Sequence, residues 1–597
     1  MISRILSVIT PATFFSRTHA RQADANDLYS NDYSTKDDPL EYRFPNSQAA
    51  TRLRRSSVIG AALLGMLIPY QASSNSCAQT NEITAVTTET PYLDQEDEKF
   101  FKEVEDKLYQ SHQNLARSVY RFLSAGIDKN LDTKAIYDQY PILQQKETVE
   151  RLQKLYNQHP DNLGIRRVFF FLLEFRYIAN KLSEAGDKLI ETQAKGERNN
   201  AITIELLRQR NKLLKEFGFD TVKFFSAART QDLTQLGKAA EELLKLSSEN
   251  YQAHMPVYSI QENEQSQDEK KWTVFYKTLR NLESLDPLIK EGQGTELSRR
   301  TFKLLGMDLA DVAVEVDFKT DENYWATINN SNRKSPILMD TEDRPNKKHV
   351  TPYTFPASPK EVYVTLVPNN GWGPRVPLHE LGHAMHYSNE DESKAFSKIF
   401  LGSKAAMEAY AFLFEHLTHN KHWLEHVAGL TKQEAKQVQE NQTLAYLGNV
   451  RHNAGKMLYE LELYKSSLGP DQITTMSKRY EEIMTDATGY DYDGYSEGRS
   501  GWLPNMDPFR DGFFVAHYFA AFILEAQLRE YMQQTFGTLE HNGEDWYQNP
   551  EAGKFLKTLW KEEGNPDPDI LSKHLGYEGS YDINPLIHHV KKVLQDN

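Results

Sequence analysis

Only one cysteine, Cys77, stands among the 597 residues. A single thiol cannot close an internal disulfide or build a thiolate zinc cluster, so any metal site must draw on histidine and carboxylate. Long apolar runs are missing too: none approaches the roughly 18 residues of a membrane-crossing helix, so no stable membrane span is expected. A basic excess is also absent. Lys and Arg number 69 against 84 Asp and Glu, a formal charge of -15. That sign argues against nucleic acid or an anionic membrane as the main partner, because both reward a basic face. What remains is the composition of a folded, water-soluble chain, 39% hydrophobic and 26% charged.

The first 78 residues read as an address. Residues 1–21 carry three Arg, no acid and several Ser and Thr, as organellar transit peptides do. Arg54 and Arg55 then precede the apolar stretch 58–68, and Ser76-Cys77-Ala78 offers a small-residue cleavage site. An arginine pair, a short apolar run and such a site form an export signal, with two-part organellar targeting as the alternative. Residues 79–93 are polar and Thr-rich and read as a linker, leaving 94–597 as one catalytic domain.

From Asp94 onward the pattern is helical. Segments 96–124, 146–158, 163–193, 201–216 and 233–249 place apolar residues three and four apart between Glu, Lys and Gln. Residues 312–318, 324–330 and 361–367 are short and rich in Val, Thr and Tyr, which predicts a few strands joined by turns such as 369–371. After Pro377 the chain is helical again. The expected fold class is mainly α, with a small sheet just before the chemical motif.

That motif is His-Glu-Leu-Gly-His at 379–383. On a helix, His379 and His383 lie on one face, so both imidazoles reach one ion. Glu380 projects from the flank, where it can take a proton from a water on the metal. The expected ion is one Zn2+, which in a catalytic site takes three protein ligands and keeps an open position. No histidine stands at the short downstream spacing of HExxHxxGxxH. Glu408, 25 residues after His383, is the third-ligand candidate, because it lies among Ala, Met, Tyr and Phe where an unpaired carboxylate would be costly. Glu415, one heptad on, is the runner-up, and His386 is read as solvated or as support for the ligands.

HExxH followed by a Glu some two dozen residues later is the gluzincin pattern. The stretch HELGHAMHYSN resembles both the angiotensin-converting enzyme and the thimet oligopeptidase families, and the interval to Glu408 is similar to the latter's spacing. Residues 207–225 resemble a helix that these families share, and residues 518–530 and 549–571 resemble converting-enzyme segments. The resemblance, scattered over most of 95–595, implies a two-lobed helical peptidase with a deep central cleft and the zinc at its floor. It implies zinc-dependent hydrolysis of short peptides, as a dipeptidyl carboxypeptidase or an oligoendopeptidase, with Tyr518 as oxyanion donor. A phenol O–H aimed at developing charge is worth a few kcal/mol. Two departures stand out. Trp502 occupies the place of a substrate-holding histidine in WLPNMDPF, and His517 replaces an arginine, so no chloride site is implied. His517 or Arg499 is left to receive a peptide carboxylate, and residues 355–358 to offer backbone groups to an extended substrate. The rival is a catalytically inactive peptide-binding protein on the same scaffold, which the completeness of the four-residue set disfavours.

Overall fold

In a computed structural model of the chain, residues 93–122, 133–182, 200–255, 293–315, 335–341, 352–366, 373–465, 472–492 and 512–595 are described, with a few single positions besides. The address region 1–78, the linker up to 92, nearly all of 324–330, the turn at 369–371, Arg499 and Trp502 lie outside them.

Helix α1 spans Gln95–Tyr120. It begins where the sequence offers a cap: the Asp94 carboxylate accepts from the Asp97 N–H at 2.8 Å, and Glu96, Asp97 and Glu98 complement the positive end of the helix. Val104, Leu108, Leu115 and Val119 form its buried stripe. The segment expected at 146–158 is a helix over Lys146–Gln158. The long one expected at 163–193 is an α-helix over Leu163–Leu172 and again over Ala179–Lys181, and residues 183–193 lie outside the described ones. Between the two helical stretches it widens into a π turn, Leu173–Ile178, in which Glu174 receives both arms of the buried Arg229 at 2.6 and 2.7 Å. Helix α2, Leu233–His254, starts at Asp232, whose side chain caps the N–H groups of Thr234 and Gln235.

Among the described residues the sheet has four strands: β1 (Ala313–Glu315), β2 (Ile337–Asp340), β3 (Tyr353–Ser358) and β4 (Glu361–Thr365), in the order β1-β2-β4-β3. β1, β2 and β4 run parallel, and β3 pairs antiparallel with β4, Thr354 facing Val364. Strands β2, β3 and β4 are buried along their whole length. Strands covered on both faces lose the alternation that marks a half-exposed strand, which is why β2 and β3 escape a reading of the sequence.

Five helices then build the site and its surroundings: α3 (Arg375–Ser388), α4 (Lys404–Glu415), α5 (Lys432–Lys465), α6 (Phe514–Phe536) and α7 (Asn584–Gln595). Helix α3 lies between the β3–β4 hairpin and α4, and α4 packs against α6. One large apolar core joins residues from Val104 to Leu594. A smaller one sits between α1 and the sheet, where Tyr120 stacks on Tyr363 at 4.4 Å. The protein is thus mainly α, with a small sheet beside the HELGH helix. Among the described residues no helix is long and apolar enough to cross a membrane.

Candidate metal centre

Helix α3 opens at Pro374, with Pro377 still in its first turn, where the missing N–H costs nothing. Arg375, His379 and His383 follow at intervals of four and share a face. Helix α4 starts at Ser403, whose side chain accepts from the Ala406 N–H, and carries Glu408 and Glu415 seven residues apart on one face. Gly382 lets the two helices meet. A Cβ there would lie 2.9 Å from the Phe414 ring and 3.1 Å from the Ala411 Cα. Any larger residue would push α4, and Glu408 with it, away from the histidines.

The result is a cluster of three. The Nε2 atoms of His379 and His383 lie 3.1 Å apart, and Glu408 Oε2 is 3.6 and 3.7 Å from them. Among the described residues this is the one group of three or more such side chains close enough to hold a metal ion. Tetrahedral zinc with bonds of about 2.0–2.1 Å separates its ligands by about 3.3 Å, so the spacing fits within a few tenths. The chemistry of the donors fits as well. Glu408 is 0% exposed, and neither of its oxygens has a hydrogen-bond partner among the described residues. A bare buried carboxylate is costly enough that its site calls for a cation.

Behind the trio lies a charged relay. His379 Nδ1 is 2.8 Å from Glu415 Oε2, Glu415 Oε1 accepts from Arg375 Nε at 2.6 Å, and Arg375 Nη1 is 2.9 Å from Glu283 Oε2. Glu415, the alternative third-ligand candidate, is thus bonded to a histidine of the trio and is not among the three grouped side chains. Its bond fixes which ring nitrogen faces the ion. Burial alone would raise the Glu415 carboxyl, but Arg375 and His379 outweigh it and hold it down at about 2. Burial likewise opposes charge on His379, yet the bond to Glu415 and the nearby carboxylates push its pKa up to about 9. A cation at the trio must displace that proton, so metal uptake weakens as pH falls.

Glu380 is 3% exposed. Burial raises its carboxyl above the usual range, against the pull of the two histidines. The Thr354 hydroxyl on β3 lies 2.9 Å from Glu380 Oε2 and 2.8 Å from the Glu380 carbonyl oxygen. Nothing in the local sequence around Thr354 announces this contact, because it arises only when β3 folds against α3.

The remaining candidates are more distant from the trio. Tyr518 is half-buried on α6. Its ring meets Phe412 at 6.3 Å and Phe514 at 5.3 Å, and Phe412 in turn packs on the His379 ring at 5.2 Å. One phenyl ring thus bridges Tyr518 and the histidine. His517, on the same turn, is 2% exposed, with Nδ1 3.3 Å from Gln231 Nε2. Burial, then Lys404 and Arg229, hold it neutral. An enclosed neutral ring has no charge to offer a peptide carboxylate. His386 is fully buried, 3.0 Å from Glu390 Oε1, and is not solvated. At residues 355–358 the Pro356 carbonyl is already taken, by His112 Nε2 of α1 at 2.7 Å, so that group is closed to strand addition.

No protein-family model matches the chain, and no curated protein sequence matches it. Solved structures do. A carboxypeptidase of Pyrococcus furiosus superposes with a TM-score of 0.52 at 15% identity, over 84% of this chain and 99% of its own. An M32 carboxypeptidase from Deinococcus radiodurans R1 gives 0.52 at 12% identity, over 84% and 99%. Metallocarboxypeptidase 1 of Trypanosoma cruzi gives 0.51 at 12%, over 84% and 100%. At such identities the likeness establishes the shared fold and nothing narrower.

Proposed function

We propose that the chain is a zinc-dependent peptidase acting on short peptides. The observation that carries this reading is Glu408, a fully buried carboxylate with both oxygens unpaired, facing two imidazole nitrogens at 3.6 and 3.7 Å. His379, His383 and Glu408 would hold the zinc, with Glu415 fixing the orientation of His379. Zinc, when bound, supplies Lewis acidity, polarising a substrate carbonyl and making water a stronger acid.

The chain's own residues supply the proton traffic and the positioning. Glu380 accepts a proton from the attacking water and passes it to the departing amine. Tyr518, which meets the Phe412 ring that packs on His379, is the candidate donor to the oxyanion. Release from a C-terminus is favoured over internal cutting, because the superposed structures named above are carboxypeptidases.

The test is hydrolysis of a quenched peptide of known sequence before chelation, after it, and after zinc is restored, with the products sequenced. Loss on chelation, recovery with zinc and products released from the C-terminus are expected. Activity that persists through chelation would contradict the proposal.

A further inference from the structure

We propose that Thr354 is a positioning residue for Glu380, a hydroxyl that fixes one carboxylate oxygen and leaves the other for the reaction. The inference rests on the peptidase reading, in which Glu380 is the base.

Three observations carry it. First, the geometry joins two elements: Thr354 belongs to β3, in register with Val364 of β4, and reaches across to the helix that bears Glu380. Its oxygen lies 2.9 Å from Glu380 Oε2 and 2.8 Å from the Glu380 carbonyl oxygen. Second, Thr354 is 4% exposed, so water does not compete for this bond, and its loss would leave a buried carboxylate oxygen short of a donor. Third, the residue type suits the task. A threonine is stiff about its first side-chain torsion, which sets the hydroxyl direction without help from a network.

The hydroxyl donates, and Glu380 offers it an acceptor at Oε2 in both of its protonation states. While Glu380 is a carboxylate, the hydroxyl hydrogen points to Oε2. Once Oε1 has taken the proton of the attacking water, Oε2 is the carbonyl oxygen of the acid and still accepts from the threonine hydroxyl, 2.9 Å away. No proton is gained or lost by Thr354. The contact survives both halves of the cycle, and Oε1 remains the oxygen that takes and returns the proton. A carboxylate freed from this hold would spend much of its time misaligned, and a misplacement of about 1 Å costs on the order of a hundredfold in rate.

Two variants of the full chain test this. Thr354→Val keeps the shape and removes the hydroxyl, and Thr354→Ser keeps the hydroxyl. Thr354→Val is expected to lower kcat by about 10- to 100-fold, with KM, zinc content and melting temperature near the parent's, while Thr354→Ser stays within about fivefold of the parent. The inference is overturned if Thr354→Val keeps the parental kcat, if it loses zinc or stability in step with activity, or if Thr354→Ser fails as badly. An active parent with an unimpaired Thr354→Val sinks this inference alone. A parent that cuts no peptide sinks the peptidase reading and this inference with it.

Discussion

Glu415 and His416 are neighbours in the chain and belong to two different clusters. Glu415 backs the metal trio. His416 enters a second buried group at the far end of α4, with His589 Nε2 3.2 Å from its Nε2 and Glu525 Oε1 3.8 Å from its Nδ1. Both groups combine histidines with a buried glutamate, yet their chemistry is opposite. At the far group Glu525 is neutralised by Arg529 at 2.7 Å and approached by the Tyr446 hydroxyl at 3.3 Å. Burial, then Arg529, hold His416 and His589 neutral. His419 Nδ1 has no hydrogen-bond partner there, and neither has a donor, Arg529 Nη2, beside a small cavity that Arg529, His416 and His589 help to line. A water would satisfy it. At the trio both orphans of Glu408 are acceptors and face two imidazoles, a set of donors that suits a cation. A cluster of histidines and acids is therefore not in itself a metal site. The sign of what is left unsatisfied decides.

The sharpest way to exploit the contrast is Glu380→Gln. It removes the base and leaves the three candidate ligands in place. A fall in kcat of at least about a thousandfold with zinc retained is expected, measured by peptide hydrolysis and elemental analysis. Next comes Glu415→Gln. The amide still reaches His379 but no longer carries the charge that Arg375 and His379 share, and zinc affinity is expected to drop about 10- to 100-fold in competition with a chelator.

The smallest effect on activity belongs to the far side. His419, which faces His416 at 4.5 Å, is pushed down to about 3, first by burial. His112, under α1, is pushed down to about 4 for the same reason. In the unfolded chain both titrate near 6.5, so below about pH 6.5 the unfolded state binds more protons than the folded one. Their contribution to stability is complete above that pH and is lost as pH falls toward the folded values. Denaturation midpoints between pH 7 and 4 should decline, and His419→Gln should make the decline shallower while changing peptide hydrolysis by less than about twofold. A large activity loss in that variant would erase the distinction between the two clusters.

Much of the candidate metal centre was legible in the sequence because its signal is local. His379, Glu380 and His383 sit within five residues, and Glu408 stands out as a charge inside an apolar run. The helices were legible for the same reason, their stripes being periodic. What escaped is what only the packing creates. Glu415 reads in the sequence as a spare ligand, whereas in the structure it is hydrogen-bonded to His379 Nδ1, a contact set by how α4 docks on α3. Thr354 had no signal at all, lying in a buried strand without alternation. The pairing of Glu174, in the π turn at Leu173–Ile178, with Arg229 likewise joins residues distant in sequence. His517 looked like a substrate contact by alignment with an arginine, whereas its surroundings make it a neutral core residue.

The claim that unites these points is that Glu408 completes a zinc site with the two histidines. It is tested most directly by counting zinc per chain in the parent and in Glu408→Gln after identical loading and dialysis. The account expects about one zinc in the parent and a large loss in the variant. A parent that holds no zinc, or a variant that holds it as firmly as the parent, would contradict it.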